Sequence, residues 1–147
     1  MSLNDTIIHD LKKAIKDQDK LRLSVLRSLK SAIKIKQIAL GQELNDEQII
    51  GVISSEVKKG KEAIEKFTQG SRQDLVEKEE SEIKILSTYL PPQLTSEEIK
   101  KLVTEVIEEL SASGPKDLGR VMKSTMERLA GRAEGREVNR IARELLS

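Results

Sequence analysis

Arginines at helical spacing near the C-terminus are the residues of this chain best suited to binding chemistry. Residues 116–147 hold six of the nine arginines, and their eight basic side chains outnumber five acidic ones. Arg136, Arg140 and Arg143 stand at positions i, i+4 and i+7, so a helix would carry all three on one face. Because guanidinium groups in a row bind phosphate or carboxylate, this segment is our candidate anion-binding site.

A loop with two glycines, residues 131–135, directly precedes this arginine row. Glycines let successive backbone amides turn toward one point, and the N-terminus of the next helix adds partial positive charge. With Arg132 and Arg136, the loop would then hold a phosphate or another anion. The alternative is an ordinary turn between two helices, in which the glycines only cap and reverse the chain.

The predicted phosphate-binding surface extends to the preceding helix. In full it comprises Lys116, Arg120, Lys123, Arg132, Arg136, Asn139, Arg140 and Arg143. Carboxylates four residues further on compete for two of these cations, since Glu127 follows Lys123 and Glu144 follows Arg140 at that spacing. Exposed pairs of this kind are weak, so we expect phosphate to exchange with them readily.

A second basic face is predicted within the first forty residues, which carry nine basic and four acidic side chains. This face would track a phosphate backbone, or it is only the solvated side of an amphipathic helix. Arg22 falls inside the apolar stripe instead, so we expect it to pair with a carboxylate from another helix. The members of this secondary basic face are Lys20, Arg27, Lys30 and Lys34.

Patterns typical of catalytic and metal sites are missing. His9 is the only histidine and cysteine is absent, which excludes a metal cluster of several histidines or of thiolates within one chain. We expect His9 on a solvated helix surface rather than in a Ser-His-Asp triad. Glu79, Glu80 and Glu82 are close in sequence, but adjacent helical positions point in different directions, so we expect a solvated face. We therefore predict no catalytic residue, no metal and no cofactor.

The elements that position these residues are predicted to be helices throughout. Apolar residues recur at three- and four-residue intervals, whereas no alternating stretch is long enough for a strand. The pattern predicts an all-α protein, with about four helices in an N-terminal domain, residues 1–92, and a three-helix C-terminal bundle, residues 93–147. Pro91 and Pro92 either link two independent domains or form a rigid corner in one body.

Several single residues are predicted to mark helix boundaries and contacts. A break is expected at residues 17–19, and glycines are expected to stop helices at positions 41 and 70. Asn45, Ser71 and Thr95 are expected to cap the helices that follow them. Gly119 is expected where the sixth helix approaches a neighbour, and the methionines at positions 122 and 126 are expected in the core.

Composition limits the core and the compartment. Phe67 and Tyr89 are the only aromatic residues, so the core must be aliphatic. The chain shows no N-terminal apolar stretch and no run near the roughly 18 apolar residues that a membrane span requires. We therefore expect a cytoplasmic protein without membrane contact.

The order of several segments resembles the YqeY-like family (GatB/YqeY domain). In the C-terminal third, DLGRVMKSTM and GRAEGREVNRIARELL look like the family signature, and RLSVLRSLKSAI and GSRQDLVEKEESEIKILSTYLPPQLTSEEI match it upstream. In that family the C-terminal part is similar to the tail domain of the B subunit of the tRNA-dependent Asp/Glu amidotransferase. Glu134 departs from the pattern, which has aspartate in the loop, and this change keeps the charge but lengthens the side chain.

Three functions of different classes are open, and the resemblance favours the first. The first is a non-catalytic module that binds tRNA through its C-terminal bundle and assists an amidotransferase or an aminoacyl-tRNA synthetase. The second is a protein interaction adaptor that docks on a partner such as an amidotransferase subunit. The third, a carbon–nitrogen ligase with glutamine as amido-N-donor, ranks last because the sequence lacks a nucleotide-binding loop and a nucleophile with its base.

Overall fold

The computed structural model describes residues 2–147, and within this range the protein is all-α, as predicted. No helix in the described range is long and apolar enough to cross a membrane. The elements are α1 (Leu3–Lys16), α2 (Lys20–Leu40), α3 (Asp46–Gln69), α4 (Gln73–Ser87), α5 (Ser96–Leu110), a 3-10 turn (Pro115–Asp117), α6 (Leu118–Leu129) and α7 (Gly135–Leu146).

The helices divide into two compact units, Met1–Leu90 and Pro91–Ser147. Helices α1 to α4 form the N-terminal unit, and α5 to α7 with the 3-10 turn form the C-terminal unit. The division falls next to the two prolines at which the sequence predicts a boundary. Independent folding of the two units stays a prediction.

Aliphatic side chains hold the N-terminal unit together. Fully burying one such side chain stabilises the folded state by about 1.5–3 kcal/mol. All four helices contribute side chains to this core, so each helix has one face packed inward and another face that carries charged residues. The buried cluster consists of Ile7, Val25, Leu26, Leu29, Ile33, Leu44, Ile49, Ile53, Val57, Ile85 and Leu86.

The single tyrosine connects the end of the N-terminal unit to α1. Tyr89 Oη donates a hydrogen bond of 2.5 Å to Asp10 Oδ2. Burial, together with the Asp10 carboxylate, raises the pKa of Tyr89, so the hydroxyl keeps its proton at neutral pH. The contact therefore joins positions 79 residues apart in sequence.

Arg22 lies beside this tyrosine but forms its ion pair locally. Its Nε is 3.6 Å from Asp19 Oδ2, and its side chain is 39% exposed. Asp19 is the N-cap residue of α2, the helix that contains Arg22. The expected pairing with another helix is therefore wrong, because the first turn of α2 already brings a carboxylate within reach.

Most predicted helix boundaries are confirmed by capping contacts. Residues 17–19 separate α1 from α2, and Gly41 ends α2 with a left-handed φ of 70°. Asn45 and Thr95 form complete capping boxes at the starts of α3 and α5. Local sequence is sufficient here because each cap is made within four residues.

Ser71 does not cap α4. It adopts a left-handed φ of 57° in the turn after α3, and Arg72 occupies the N-cap position without a capping side-chain hydrogen bond. The Arg72 guanidinium instead reaches Asp74 in the first turn, with Nη2 3.1 Å from Oδ2. The prediction failed because the chain uses Ser71 to reverse direction, one residue before the cap.

A glycine permits close helix packing, but not the one that was predicted. Gly119 is exposed, and a Cβ there would meet nothing within 4 Å, so its predicted packing role is wrong. Gly60 in α3 is buried, and a Cβ there would lie 2.9 Å from Ile83 Cγ1 of α4. The absent side chain of Gly60 therefore lets α3 and α4 pack closely.

The C-terminal unit has an aliphatic core of its own. Helices α5, α6 and α7 pack against one another around it. Met122 and Met126 are partly buried against this core, which confirms their predicted packing role. The buried residues are Ile99, Val103, Val106, Val121, Leu129, Val138, Ile141, Ala142 and Leu146.

Candidate functional site

Helix α7 presents the predicted arginine row to solvent. One side of the helix is buried against α5 and α6, and the opposite side is left exposed. Arg136, Arg140 and Arg143 are all exposed residues on that side. Their role in binding stays a prediction. The buried stripe that orients them consists of Val138, Ile141, Ala142 and Leu146.

Arg140 is held by two carboxylates of its own helix. Its Nη2 lies 2.6 Å from Glu137 Oε1, and its Nη1 lies 2.9 Å from Glu144 Oε1. Glu137 Oε1 also accepts a 2.9 Å hydrogen bond from Ser96 Oγ at the start of α5. The hydrogen bonds from Arg140 and then Ser96 lower the pKa of Glu137, so this carboxylate is ionised at neutral pH. An incoming phosphate would therefore have to displace two anions from Arg140.

A shallow groove of about 290 Å³ runs beside this network, between the first turns of α5 and the last turns of α7. Its charged lining alternates in sign, with Lys100 and Arg140 beside Glu97 and Glu144. Such mixed charge does not favour a small anion. The exposed row on α7 is therefore a better candidate for phosphate than the groove.

Arg132 has a structural role that the sequence analysis missed. Its Nε donates a 2.9 Å hydrogen bond to the carbonyl of Leu129, and its Nη2 donates one of 2.9 Å to the carbonyl of Arg128. These carbonyls belong to the last turn of α6. Carbonyls at the end of a helix have no backbone amide of the same helix to accept a hydrogen bond from. A basic residue just beyond a helix end is a sequence signal for this contact. Two donors of Arg132 therefore point back into the protein.

The loop between α6 and α7 is a chain reversal fixed by hydrogen bonds. Ala130 and Gly131 adopt left-handed φ values of 47° and 84°. The amide of Leu94 donates a hydrogen bond of 2.8 Å to the carbonyl of Arg132, and Gln93 Nε2 donates one of 3.0 Å to the carbonyl of Gly131. The turn anticipated as the alternative is thus observed, and anion binding by the loop stays a prediction.

Glu134 occupies the N-cap position of α7, and its side chain makes no capping hydrogen bond there. Its carboxylate nevertheless lies at the end of the helix that favours negative charge. An anion bound at this helix end would have to share the site with the Glu134 carboxylate.

The remaining predicted residues also lie in the C-terminal unit. Lys116 on the 3-10 turn and Lys123 on α6 are exposed, whereas Asn139 on α7 is half-buried. Arg120 Nη2 lies 3.0 Å from Asp117 Oδ1. The Ser113 amide and then Arg120 lower the pKa of Asp117, so Arg120 faces a charged carboxylate at neutral pH.

Arg128 was not predicted to have a role, yet it joins two helices. It forms an ion pair with Glu109 of α5, and the hydrogen bond from Arg128 lowers the pKa of Glu109. No local sequence pattern signals this pair, because its members are 19 residues apart. The pair gives Arg128 a structural role between α5 and α6.

The secondary basic face lies on α2, in the other compact unit. Lys20, Arg27 and Lys34 are exposed, and Lys30 is half-buried. Their helix, residues 20–40, contains no acidic residue of its own. No carboxylate of α2 itself therefore offsets the positive charge of this face.

Two glutamates converge where a solvated face was expected. Glu79 and Glu82 line a cavity of about 190 Å³ between α2, α3 and α4, together with Glu56, Ser24 and Ser28. The expectation is confirmed for the exposed Glu80 and wrong for Glu79 and Glu82, because positions three apart share one side of a helix, here the half-buried edge of α4. Within residues 2–147, no group of three or more His, Cys, Asp or Glu side chains could hold a metal ion.

Comparison with known proteins links nearly the whole chain to one family. The family model described as Yqey-like protein matches residues 4–146. The chain is 40% identical over 109 residues to the protein named altered inheritance of mitochondria protein 41, mitochondrial, from Lachancea thermotolerans. This alignment covers 72% of this chain and 58% of that protein. The protein of the same name from Kluyveromyces lactis is 36% identical over 109 residues, with 72% and 59% covered.

A third relative extends the match. The protein of that name from Pyrenophora tritici-repentis is 30% identical over 126 residues, covering 84% of this chain and 69% of that protein. The aligned part of this chain spans less than two thirds of the length of the first two relatives.

Replacing Arg132 by glutamine should destabilise the protein. The change removes the guanidinium that caps two carbonyls of α6, so we expect the free energy of unfolding to fall by about 1–2 kcal/mol. The matched variant Arg143→Gln should change it by less than about 0.5 kcal/mol, because that side chain lies on the exposed face. Urea unfolding followed by circular dichroism measures both. Equal stability of the two variants would contradict the capping role.

Replacing Glu79 by glutamine should stabilise the protein at neutral pH. Burial and then Glu82 raise the pKa of Glu79. A carboxyl whose pKa is higher in the folded state favours folding at low pH, and this contribution is lost as pH rises through the folded pKa. Glu79→Gln should therefore melt higher than wild type near pH ~7, and the difference should shrink toward pH ~4. The exposed Glu80→Gln is the control, and a Glu79→Gln variant that melts lower near neutrality would refute the explanation.

Proposed function

Because the chain belongs to the YqeY-like family, we propose that it is a non-catalytic accessory module that binds tRNA through its C-terminal unit. The observation that carries the proposal is the exposed row of Arg136, Arg140 and Arg143 on α7, whose opposite face is buried. The resemblance of this segment to the tail domain of the amidotransferase B subunit supports the choice of tRNA as the anion.

The α7 row suits a phosphate backbone rather than one small anion. Arg136 and Arg143 are seven residues apart, so the row extends about 10 Å along the helix axis and would contact more than one phosphate. Guanidinium groups form strong charge-assisted hydrogen bonds to phosphate oxygens. Arg140 would exchange Glu137 and Glu144 for phosphate, which is feasible because all three side chains are open to solvent.

Recognition would depend on the shape of the tRNA rather than on stacked bases. The C-terminal unit contains no aromatic residue, and the single phenylalanine and tyrosine lie in the N-terminal unit. Tyr89 is already engaged with Asp10. Because single-stranded RNA is usually recognised by stacking on aromatic side chains, a folded tRNA surface is the better target.

The chemistry in this proposal is supplied by a partner, either a tRNA-dependent amidotransferase or an aminoacyl-tRNA synthetase. The sequence suggested a cytoplasmic protein, whereas the fungal relatives are named as mitochondrial. Translation takes place in both compartments, so the proposed tRNA partner is available in either. A carbon–nitrogen ligase activity of the chain itself remains the least favoured function.

A helical protein interaction adaptor is the second candidate function. The observation in its favour is a set of large apolar side chains on α1 and α2 that remain exposed, two of them by about 70%. Exposed apolar clusters on soluble proteins often mark interaction sites. An adaptor would not require the arginine row.

Binding of tRNA across a salt series tests the proposal. Wild-type protein should bind at low salt and weaken steeply as salt rises, because binding releases counterions from the RNA. The variant Arg136→Gln/Arg140→Gln/Arg143→Gln should retain helix content but bind more weakly, with a salt slope flatter by about 0.7–0.9 for each phosphate that the variant no longer neutralises. The matched variant Lys20→Gln/Arg27→Gln/Lys30→Gln should weaken binding less.

Two results would contradict the proposal in different ways. Lack of tRNA binding by wild-type protein at low salt would reject the function and favour the adaptor. If the α2 variant loses binding while the α7 variant keeps wild-type affinity and slope, the protein binds tRNA but the site assignment is wrong.

A further inference from the structure

The end of α2 carries exposed isoleucines. Ile33 is 3% exposed and is the last buried residue of the helix, whereas Ile35 and Ile38 are 69% and 72% exposed and Leu40 is 45% exposed. We call residues 34–40 the α2 tip. Helix α2 has 21 residues and packs against α1, which has 14, so α2 is longer than α1 by seven residues, or about 10 Å.

Neither the core nor helix propensity explains these side chains. Branched isoleucine is a weaker helix former than alanine, lysine or glutamine, so an exposed helix end does not favour it. The tip is nevertheless a complete helix, because the amide of Gly41 donates a 2.8 Å hydrogen bond to the carbonyl of Gln37. Of the exposed large apolar residues in the described range, three lie within these seven positions. The isoleucines therefore lie on an ordered but unpartnered helix face.

The charged residues of α2 itself are all basic. Helix α2 carries six Lys and Arg residues and no Asp or Glu, and the first acidic residue after it is Glu43. Ile35 and Ile38 are separated by about 60° around the helix. Lys34 lies on the far side of Ile38, and Lys36 lies on the far side of Ile35. Both lysines are exposed. The tip therefore offers an apolar stripe between two cations.

We propose that the α2 tip is a docking surface for an acidic amphipathic helix of a partner protein. The partner would place aliphatic side chains at i and i+3 or i+4 against Ile35 and Ile38, and its flanking carboxylates would reach Lys34 and Lys36. Apolar contact supplies most of the affinity, and the charges steer association and set orientation. The site is independent of the arginine row on α7.

The same charges argue against other occupants. A two-fold contact between two copies through the tip would bring Lys34 and Lys36 of each copy against those of the other. A helix that lies in a membrane surface needs its whole apolar face free, but the main stripe of α2 is buried in its own core. RNA phosphate would use the lysines and leave the isoleucines without a role.

A designed peptide tests the docking surface directly. The probe is a labelled helical peptide of about 20 residues with leucines along one face and glutamates beside them, and a second peptide carries lysines in place of the glutamates. We expect the full-length protein to bind the acidic peptide and not the basic one in fluorescence anisotropy. Ile35→Gln/Ile38→Gln should weaken binding at least about tenfold, and Lys34→Gln/Lys36→Gln should weaken it and flatten its salt dependence.

The matched control removes two other exposed apolar side chains. The double variant Ile15→Gln/Leu21→Gln changes the end of α1 and the start of α2, and it should leave peptide affinity unchanged. Thermal melts verify that every variant is folded. The isoleucine variant should also bind tRNA as wild type does, which separates this test from the tRNA proposal. Equal affinity of wild type and the isoleucine variant for the acidic peptide would overturn the proposal. So would a specific loss of self-association, of binding to phosphatidylserine vesicles or of tRNA binding in that variant.

Discussion

Each helix of this protein buries one aliphatic stripe, and this constraint decides which charges reach solvent. The chain has one phenylalanine and one tyrosine, so its two cores depend on valine, leucine and isoleucine from several helices at once. In α7, burial of Val138 and Ile141 turns the arginines outward. The orientation of the proposed binding surface is thus a consequence of core packing, and a change in the stripe would move the surface with it.

Pairing within the C-terminal unit then determines what each arginine can do. Arg132 closes the end of α6, and Arg128 joins α6 to α5. Arg140 is exposed but already shared between two glutamates. The sequence alone does not distinguish these arginines from one another. Their contacts do, because Arg128 and Arg132 hold parts of the unit together, whereas the arginines of α7 are exposed to solvent.

Sequence was sufficient where the signal was local. The capping boxes at Asn45 and Thr95 and the single exposed face of α7 follow from spacing within a few residues. Sequence was insufficient where a neighbour in space decides the outcome. The close approach at Gly60 and the ion pair of Arg128 each depend on a second helix, and Ser71 was assigned as a cap because its left-handed turn is not visible in the pattern.

The most direct test of the binding account follows the arginine side chains themselves. In nitrogen-15 spectra, each guanidinium Nε–H group gives its own signal, and tRNA can be titrated into the full-length protein. If tRNA binds the α7 row, the signals of Arg136 and Arg143 shift or broaden as tRNA is added, while that of Arg132 stays in place because its Nε donates a hydrogen bond to a carbonyl of α6. Changes confined to Arg22 and Arg27, with the α7 signals unmoved, would contradict the account.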